Sequence, residues 1–497
     1  MFESLITAIA YLLGDGINLF YLGLGVVVGI IFGIIPGLGG ATAIALLLPL
    51  TFGMEAEQAI ILMGGVMGAV SAGGAVTSIL LNTPGTAPNA ATCFDGYPLA
   101  QQGKAGLAIG AAAGASTIGG IFGLLVLVMV LPIAKAIVLW FGPPAFFMMA
   151  VLGLTCLTAT GSNVLRGLIS GCAGLFLGFV GYDSIGGTER YTGGIDYFWD
   201  GVSLVPALIG LFAISEMMQL YITGGSVAKV GSSQIRIDGI WQGVKESFRH
   251  YRLVLSSSTI GTVLGAIPGV GGTVGSFMAY SFAVQTSKDK DSFGKGDIRG
   301  VIAPEAANNA KDGGSLIPTL AFGIPGGAEM ALFLGVLILH GLNPGPMLLI
   351  EREYTIFTLI ITILAATILS NVIVLFTTRF MVKIAYIDSS FLVPSVIAIS
   401  LVGAYTMRGS MGDVFTAAAF GLIGYLMHRF DYPRITLVIA LVLSELMERN
   451  YTQSMLMFEG DWTGFFRDTT TLILFLITLA ALSFPIIQAI RKDRTSD

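Results

Sequence analysis

Gly33-Ile-Ile-Pro-Gly-Leu-Gly-Gly40 and Gly265-Ala-Ile-Pro-Gly-Val-Gly-Gly272 carry one signal written twice, 232 residues apart. Each copy follows a long apolar run and precedes a short one. Proline removes a backbone donor and glycine weakens a helix, so neither cluster continues the helix before it. The rest of the composition sets the solvent around these breaks. Hydrophobic residues make up 54% of the 497-residue chain and charged residues 11%, and the mean hydropathy is +0.84. So few charges do not cover a water-soluble surface, and disorder needs the opposite composition. Repeated apolar runs of spanning length define an all-α polytopic membrane protein; strict apolar–polar alternation, the mark of a transmembrane barrel, is missing. In hydrocarbon a broken helix is tolerated only where protein or a watery cavity surrounds it. The two clusters are therefore candidate site elements as well as fold elements.

Working outward, apolar segments suggest about twelve full spans plus broken or re-entrant helices, given ~20 residues per span. The short segments 41–52, 272–286 and 314–323 lie beside Pro-Gly clusters and read as half-helices. Residues 223–251 turn polar and carry Lys229, Arg236, Lys245 and Arg249. This reads as a linker, with an amphipathic surface helix, between an N-terminal repeat (1–222) and a C-terminal repeat (252–497). Three further matches keep the same order. Gly73-Gly74 recurs as Gly313-Gly314, offset 240, and Thr83-Pro-Gly-Thr-Ala87 as Ile324-Pro-Gly-Gly-Ala328, offset 241. Ile214-Ser-Glu-Met-Met218 resembles Leu443-Ser-Glu-Leu-Met447. The charged loop 287–297 accounts for the growing offset. Internal duplication of this sort is the signature of secondary transporters, and we read the repeats as inverted.

Several functions are disfavoured by the same chain. A net charge of −5 argues against a nucleic-acid partner. His250, His340 and His428 are scattered, and Cys93, Cys156 and Cys172 form no ligand pattern, so no transition-metal site or disulfide framework is expected. A Walker-type phosphate loop is missing, as are paired catalytic groups within the spans. We expect no enzyme and no cofactor. The first basic residue is Lys104, so the N-terminus reads as a retained membrane element rather than a cleaved signal. The basic tail after Ile490 places the C-terminus in the cytoplasm by the positive-inside rule.

The breaks supply the candidate substrate contacts. A half-helix that starts at a break presents its N-terminal amides and positive dipole end to the cavity. Gly39, Gly40, Gly271 and Gly272 lie at the first pair, with the hydroxyls of Thr42 and Thr273 just beyond. The second pair contributes Asn82, Thr83, Pro84, Gly85 and Thr86 from one half and Pro325, Gly326 and Gly327 from the other, with Ser71 upstream. Close helix packing is the competing reading of these glycines. Coupling-ion candidates are Glu305, Asn308, Asn309, Asp312 and Glu329. Carboxamide and hydroxyl oxygens with unwound carbonyls suit Na⁺, whereas Glu305, Asp312 or Glu329 suit proton relay; a solvated loop at 305–312 is the alternative. Glu216 and Glu445 read as interfacial acids. Lys104 and Lys311 are the basic residues nearest the breaks.

Together, the two Pro-Gly-x-Gly-Gly clusters, Asn82-Thr-Pro-Gly-Thr-Ala-Pro88 and Glu305-Ala-Ala-Asn-Asn-Ala-Lys-Asp-Gly-Gly314 carry a resemblance. The chain, from about residue 15 to 490 by its motifs, resembles the large membrane subunit of the bacterial tripartite tricarboxylate transporters, the TctA family. That resemblance implies a multi-pass permease of the bacterial inner membrane. It implies two partners, a small four-span membrane subunit and a periplasmic substrate-binding protein. It also implies import of citrate or another small carboxylate on a Na⁺ or H⁺ gradient. An uncoupled channel or facilitator for small organic anions is the rival reading.

Overall fold

The computed structural model describes residues 2–160, 164–183, 185–223, 238–269, 271–384 and 389–494. Val270 of the second cluster and Lys229 and Arg236 of the polar stretch lie outside them. The described residues are mostly helical, and their strand content is one two-residue antiparallel pairing, Gly181–Tyr182 with Glu189–Arg190.

The first elements are α1 (Phe2–Gly14), α2 (Gly16–Ile34), α3 (Gly39–Leu47), α4 (Ala56–Leu81), α5 (Ala90–Gln101) and α6 (Ala105–Val138). Next come α7 (Pro143–Thr160), α8 (Val164–Gly178), α9 (Leu204–Leu208) and α10 (Ser215–Thr223), with a π turn at Ile209–Ile214. The chain resumes with α11 (Ile240–Arg249), α12 (Tyr251–Gly265), α13 (Gly271–Thr286), α14 (Arg299–Phe322) and α15 (Ala328–Leu339). It closes with α16 (Pro346–Glu351), α17 (Glu353–Ile384), α18 (Ser389–Arg408), α19 (Met411–Arg429), α20 (Arg434–Met457) and α21 (Thr469–Arg494).

Among the described residues, five helices are long and apolar enough to cross a membrane: α2, α4, α6, the α9–α10 unit and α17. Shorter apolar helices of 10–17 residues accompany them. The architecture is that of an all-α polytopic membrane protein. The four tryptophans, Trp140, Trp199, Trp241 and Trp462, are all exposed near helix ends, where an aromatic belt belongs.

α4 and α14 form the centre, and nearly every residue of each is buried. Glycine allows their neighbours to approach closely. A Cβ built on Gly29 or Gly33 of α2 would stand 2.7 or 2.1 Å from the carbonyl oxygen of Val66 or Val70 on α4. On α12, Gly261 and Gly265 face the carbonyls of Ala307 and Lys311 on α14 at 2.2 and 2.5 Å in the same way. From the other side, Gly119 and Gly123 of α6 meet Ala306 and Ala310 of α14 at 2.2 and 2.3 Å. Without a hydrophobic force between helices in lipid, such backbone approach and its dispersion contacts hold the bundle.

Two expectations change here. The stretch 314–323 is not a separate half-helix; it is the C-terminal part of a continuous 24-residue α14. The run 305–312 is not a solvated loop, because Glu305, Asn308, Asn309, Lys311 and Asp312 all lie buried within that helix. The expected half-helices at 41–52 and 272–286 do form, as α3 with a 3₁₀ extension and as α13. Residues 240–249 are helical with Trp241 and Phe248 exposed, while Ser247 donates to the Ala111 carbonyl of α6 at 2.8 Å. The 287–297 loop is tied down by buried Asp95, whose carboxylate accepts from the Gly296 and Asp297 amides, each at 2.8 Å, and from Tyr280 at 2.9 Å.

Candidate functional site

Each break uses backbone that favours glycine. Gly37 and Gly39 take φ of 89° and 62°, and Gly269 and Gly271 take 81° and 68°. These left-handed residues end α2 and α12 and let α3 and α13 start in new directions. The second pair ends the same way: Asn82 (φ 51°) caps α4 and Gly323 (φ 68°) caps α14. Non-helical Pro-Gly segments follow. Gly85 runs so close to α2 and α4 that an added Cβ would lie 1.9 Å from the Gly33 carbonyl and 2.6 Å from Gly74 Cα.

All four breaks open onto one cavity of about 480 Å³, a size usual for small-ligand sites. Its lining runs over Gly37–Ala41, Pro84–Pro88, Gly269, Gly271–Thr273 and Gly326–Met330, with Lys311, Ser315 and Ile435. The helices α3, α13 and α15 begin at this cavity, so their N-terminal amides and positive dipole ends favour an anion there.

Among the predicted substrate residues the cavity gathers Gly39, Gly40, Pro84, Gly85, Thr86, Gly271, Gly272, Thr273, Gly326 and Gly327. It does not gather Asn82, Thr83, Thr42, Ser71 or Pro325. Asn82 is an exposed helix cap, and the Thr83 hydroxyl donates to the Leu81 carbonyl at 3.1 Å. Thr42 and Ser71 are buried away from the lining.

The coupling candidates divide into two groups. Glu329 lines the cavity and Asp312 lies beside it in α14, both paired with the cavity-lining Lys311, whose Nζ lies 2.5 Å from Asp312 Oδ1 and 3.6 Å from Glu329 Oε2. Glycine makes room for both cavity side chains. A Cβ on Gly272 would stand 2.0 Å from Lys311 Cδ, and one on Gly40 would stand 2.5 Å from Glu329 Oε1. Deeper in α14, Glu305 is fully buried and accepts from Asn89 (2.9 Å), Thr92 (2.6 Å) and Ser116 (3.0 Å). Asn89 also bonds to the cavity-lining Thr86. Asn309 donates to the Glu305 carbonyl at 3.3 Å. Asn308 is buried with neither amide atom hydrogen-bonded, and helical spacing puts it on the face shared by Glu305, Asp312 and Ser315.

Asn89, Thr92 and Ser116 are absent from the sequence-based set. The signal for Asn89 is its place three residues beyond the break at Asn82–Thr86; Thr92 and Ser116 carry none. Glu216 pairs with Arg434 at 2.5 Å beside the π turn. Glu445 is exposed.

A helical multi-pass membrane protein whose breaks converge on one charged cavity has the build of a transporter. The chain belongs to the tripartite tricarboxylate transporter TctA family, whose model matches residues 19–439. An Agrobacterium vitis protein named "Uncharacterized 52.8 kDa protein in TAR-I ttuC' 3'region" is 32% identical over 480 residues, 96% of this chain and 95% of that one. A second, "Uncharacterized protein in TAR-II ttuC' 3'region" from the same organism, is 31% identical over 234 residues, 47% of this chain and 97% of its own length. No solved structure matches. Membership makes the chain the membrane permease component of a tripartite tricarboxylate transport system, in a family of transporters rather than enzymes.

Proposed function

We propose that the chain is the large permease subunit of a secondary active transporter that imports small carboxylates, citrate or a dicarboxylate, on a Na⁺ or H⁺ gradient. It works in the bacterial inner membrane with a four-span membrane subunit and a periplasmic binding protein. The observation that carries this reading is the single cavity formed by all four breaks, with helix N-termini and Lys311 facing it. The negative residues around Lys311 favour coupling, because a carboxylate entering beside Glu329 and Asp312 needs a companion cation.

Two repeats, 1–222 and 252–497 joined by 223–251, are supported by contacts that recur at fixed offsets. Gly33 meets Val70 as Gly265 meets Lys311, and Gly73 meets Ile30 as Gly314 meets Thr262. Gly85 abuts Gly33 as Gly326 abuts Gly265. These contacts pair Gly73 with Gly314, one residue along from the alignment read off the sequence. A duplicated unit gives two packings of similar energy, which alternating access requires.

Counterflow of labelled citrate and succinate in proteoliposomes, with both partner subunits, tests the reading: trans-substrate accelerates uptake of at least one acid. Loss of saturation, with flux simply following the substrate gradient, would support the channel instead. The orphaned amide of Asn308 leads to a second expectation. Asn308→Ala raises the driving cation concentration for half-maximal uptake by about tenfold, the worth of one buried polar contact. Unchanged Na⁺ and pH responses would move coupling off this face of α14.

A further inference from the structure

We propose that Lys311 binds a carboxylate group of the substrate directly by giving up Glu329 in exchange, and that one cation must enter with the substrate to neutralise the released Glu329. This deepens the transport reading and rests on it.

Among the described residues that line the cavity, Lys311 is the one base and Glu329 the one acid. The two lie 3.6 Å apart, whereas Lys311 and its neighbour Asp312 lie at 2.5 Å. Asp312 is thus the fixed partner and Glu329 the loose one. The Glu329 carboxylate occupies a ligand's place, beside Lys311 and against the bare Cα of Gly40 in the first turn of α3. It also sits on α15, a helix that starts at a break. Any small carboxylate that reaches Lys311 meets the same surroundings.

The matched positions in the other half carry no charge. Where Gly40 faces Glu329 and Val70, Gly272 faces Pro88 and Lys311. The shared architecture therefore does not require the pair. Charge balance then links exchange to coupling. Lys311, Asp312 and Glu329 sum to −1, and a bound carboxylate brings the cluster to −2 in a largely buried site. Like charges at such range oppose each other strongly. A proton on a Glu329 oxygen, or a Na⁺ held by that carboxylate, restores the original sum. From the elements packed against Glu329, Gly40 and Val70 contribute no charge, and Arg434 of α20 is committed to Glu216 at 2.5 Å.

The test compares wild type, Lys311→Gln, the double variant Lys311→Gln/Asp312→Asn and Glu329→Gln. All are reconstituted with both partner subunits and assayed with labelled citrate and succinate for counterflow and for accumulation under a Na⁺ or a pH gradient. Lys311→Gln is expected to lower counterflow by about 100-fold or more, as loss of a buried charge partner does. The double variant removes the stranded Asp312 charge, folds as judged by its elution profile and Tm, and is expected to stay equally inactive. Glu329→Gln leaves no carboxylate to be neutralised, so its residual counterflow is expected to be independent of Na⁺ and pH and its accumulation to be lost under whichever gradient drives the wild type. Wild-type counterflow in the double variant would overturn direct binding by Lys311, leaving it a mere counter-charge for Asp312. Wild-type accumulation by Glu329→Gln would overturn the exchange. Failure of the wild type itself to exchange either acid would instead sink the transport reading beneath the proposal.

Discussion

Gly272→Leu ends carboxylate uptake while leaving the protein inserted and folded. A Cβ at this position would fall 2.0 Å from Lys311 Cδ and 2.3 Å from its Cε, and 3.3 Å from Pro88 Cγ. The colliding atoms belong to a flexible side chain, so the bundle yields by swinging Lys311 aside rather than by shifting backbone. The branched end of leucine then fills the cavity beside the start of α13. Gly40→Leu acts at the matched position, where the displaced group is Glu329 at 2.5 Å. Uptake at each variant falls by about 100-fold or more, on the order of 3 kcal/mol of lost substrate binding. Membrane yield and elution profile stay near those of the wild type. Gly85→Ala provides the contrast, since its Cβ meets the backbone carbonyl of Gly33 at 1.9 Å. That variant loses stability first, and its activity only as a consequence. Normal uptake by Gly272→Leu and Gly40→Leu would remove the cavity from the transport path.

Glu305→Ala destabilises the protein by several kcal/mol. The carboxylate gathers donors from three places: Asn89 after the second break, Thr92 on α5 and Ser116 on α6. All are buried, and no water replaces the lost acceptor unless a cavity opens. Stranding a buried donor costs ~1–3 kcal/mol, so losing the common acceptor of three costs about 3 kcal/mol or more. Glu305→Gln keeps one acceptor oxygen and the shape of the side chain. Its loss is therefore about 1–2 kcal/mol, since the hydroxyls rotate to accept from the new amide. Thermal unfolding in detergent distinguishes the two. Equal Tm values for wild type and Glu305→Ala would mean that these hydrogen bonds do not hold α14 to α5 and α6.

The class of the fold was legible because hydropathy is a property of long windows, and the breaks were legible because proline and glycine act locally. Half-helices at α3 and α13 follow from Pro36-Gly37 and Pro268-Gly269 alone. Convergence of the four breaks on one cavity is a tertiary fact, and only the internal matches hinted at it. The helical state of 305–312 was hidden for a related reason. A window average registers the charges of Glu305, Lys311 and Asp312 but not the partners that allow their burial; Asn89, Thr92 and Ser116 lie roughly two hundred residues away. Asn82 misleads in the opposite direction. A polar residue before Pro84 looks like a ligand, yet its left-handed φ makes it the counterpart of Gly323, a cap rather than a contact. Its alignment with Gly323, at the same offset as Pro84 with Pro325, carried that information.

Concentrative uptake tests coupled carboxylate transport most directly. Proteoliposomes holding the permease with both partner subunits receive labelled citrate or succinate at equal concentration inside and out. A Na⁺ or a pH gradient is then imposed, and later collapsed with an ionophore. The expected result is that one gradient drives the acid severalfold above its outside concentration, and that the ionophore returns it to equality. An internal concentration that never exceeds the external one under either gradient, while flux persists down a substrate gradient, would contradict coupled transport and leave a facilitator.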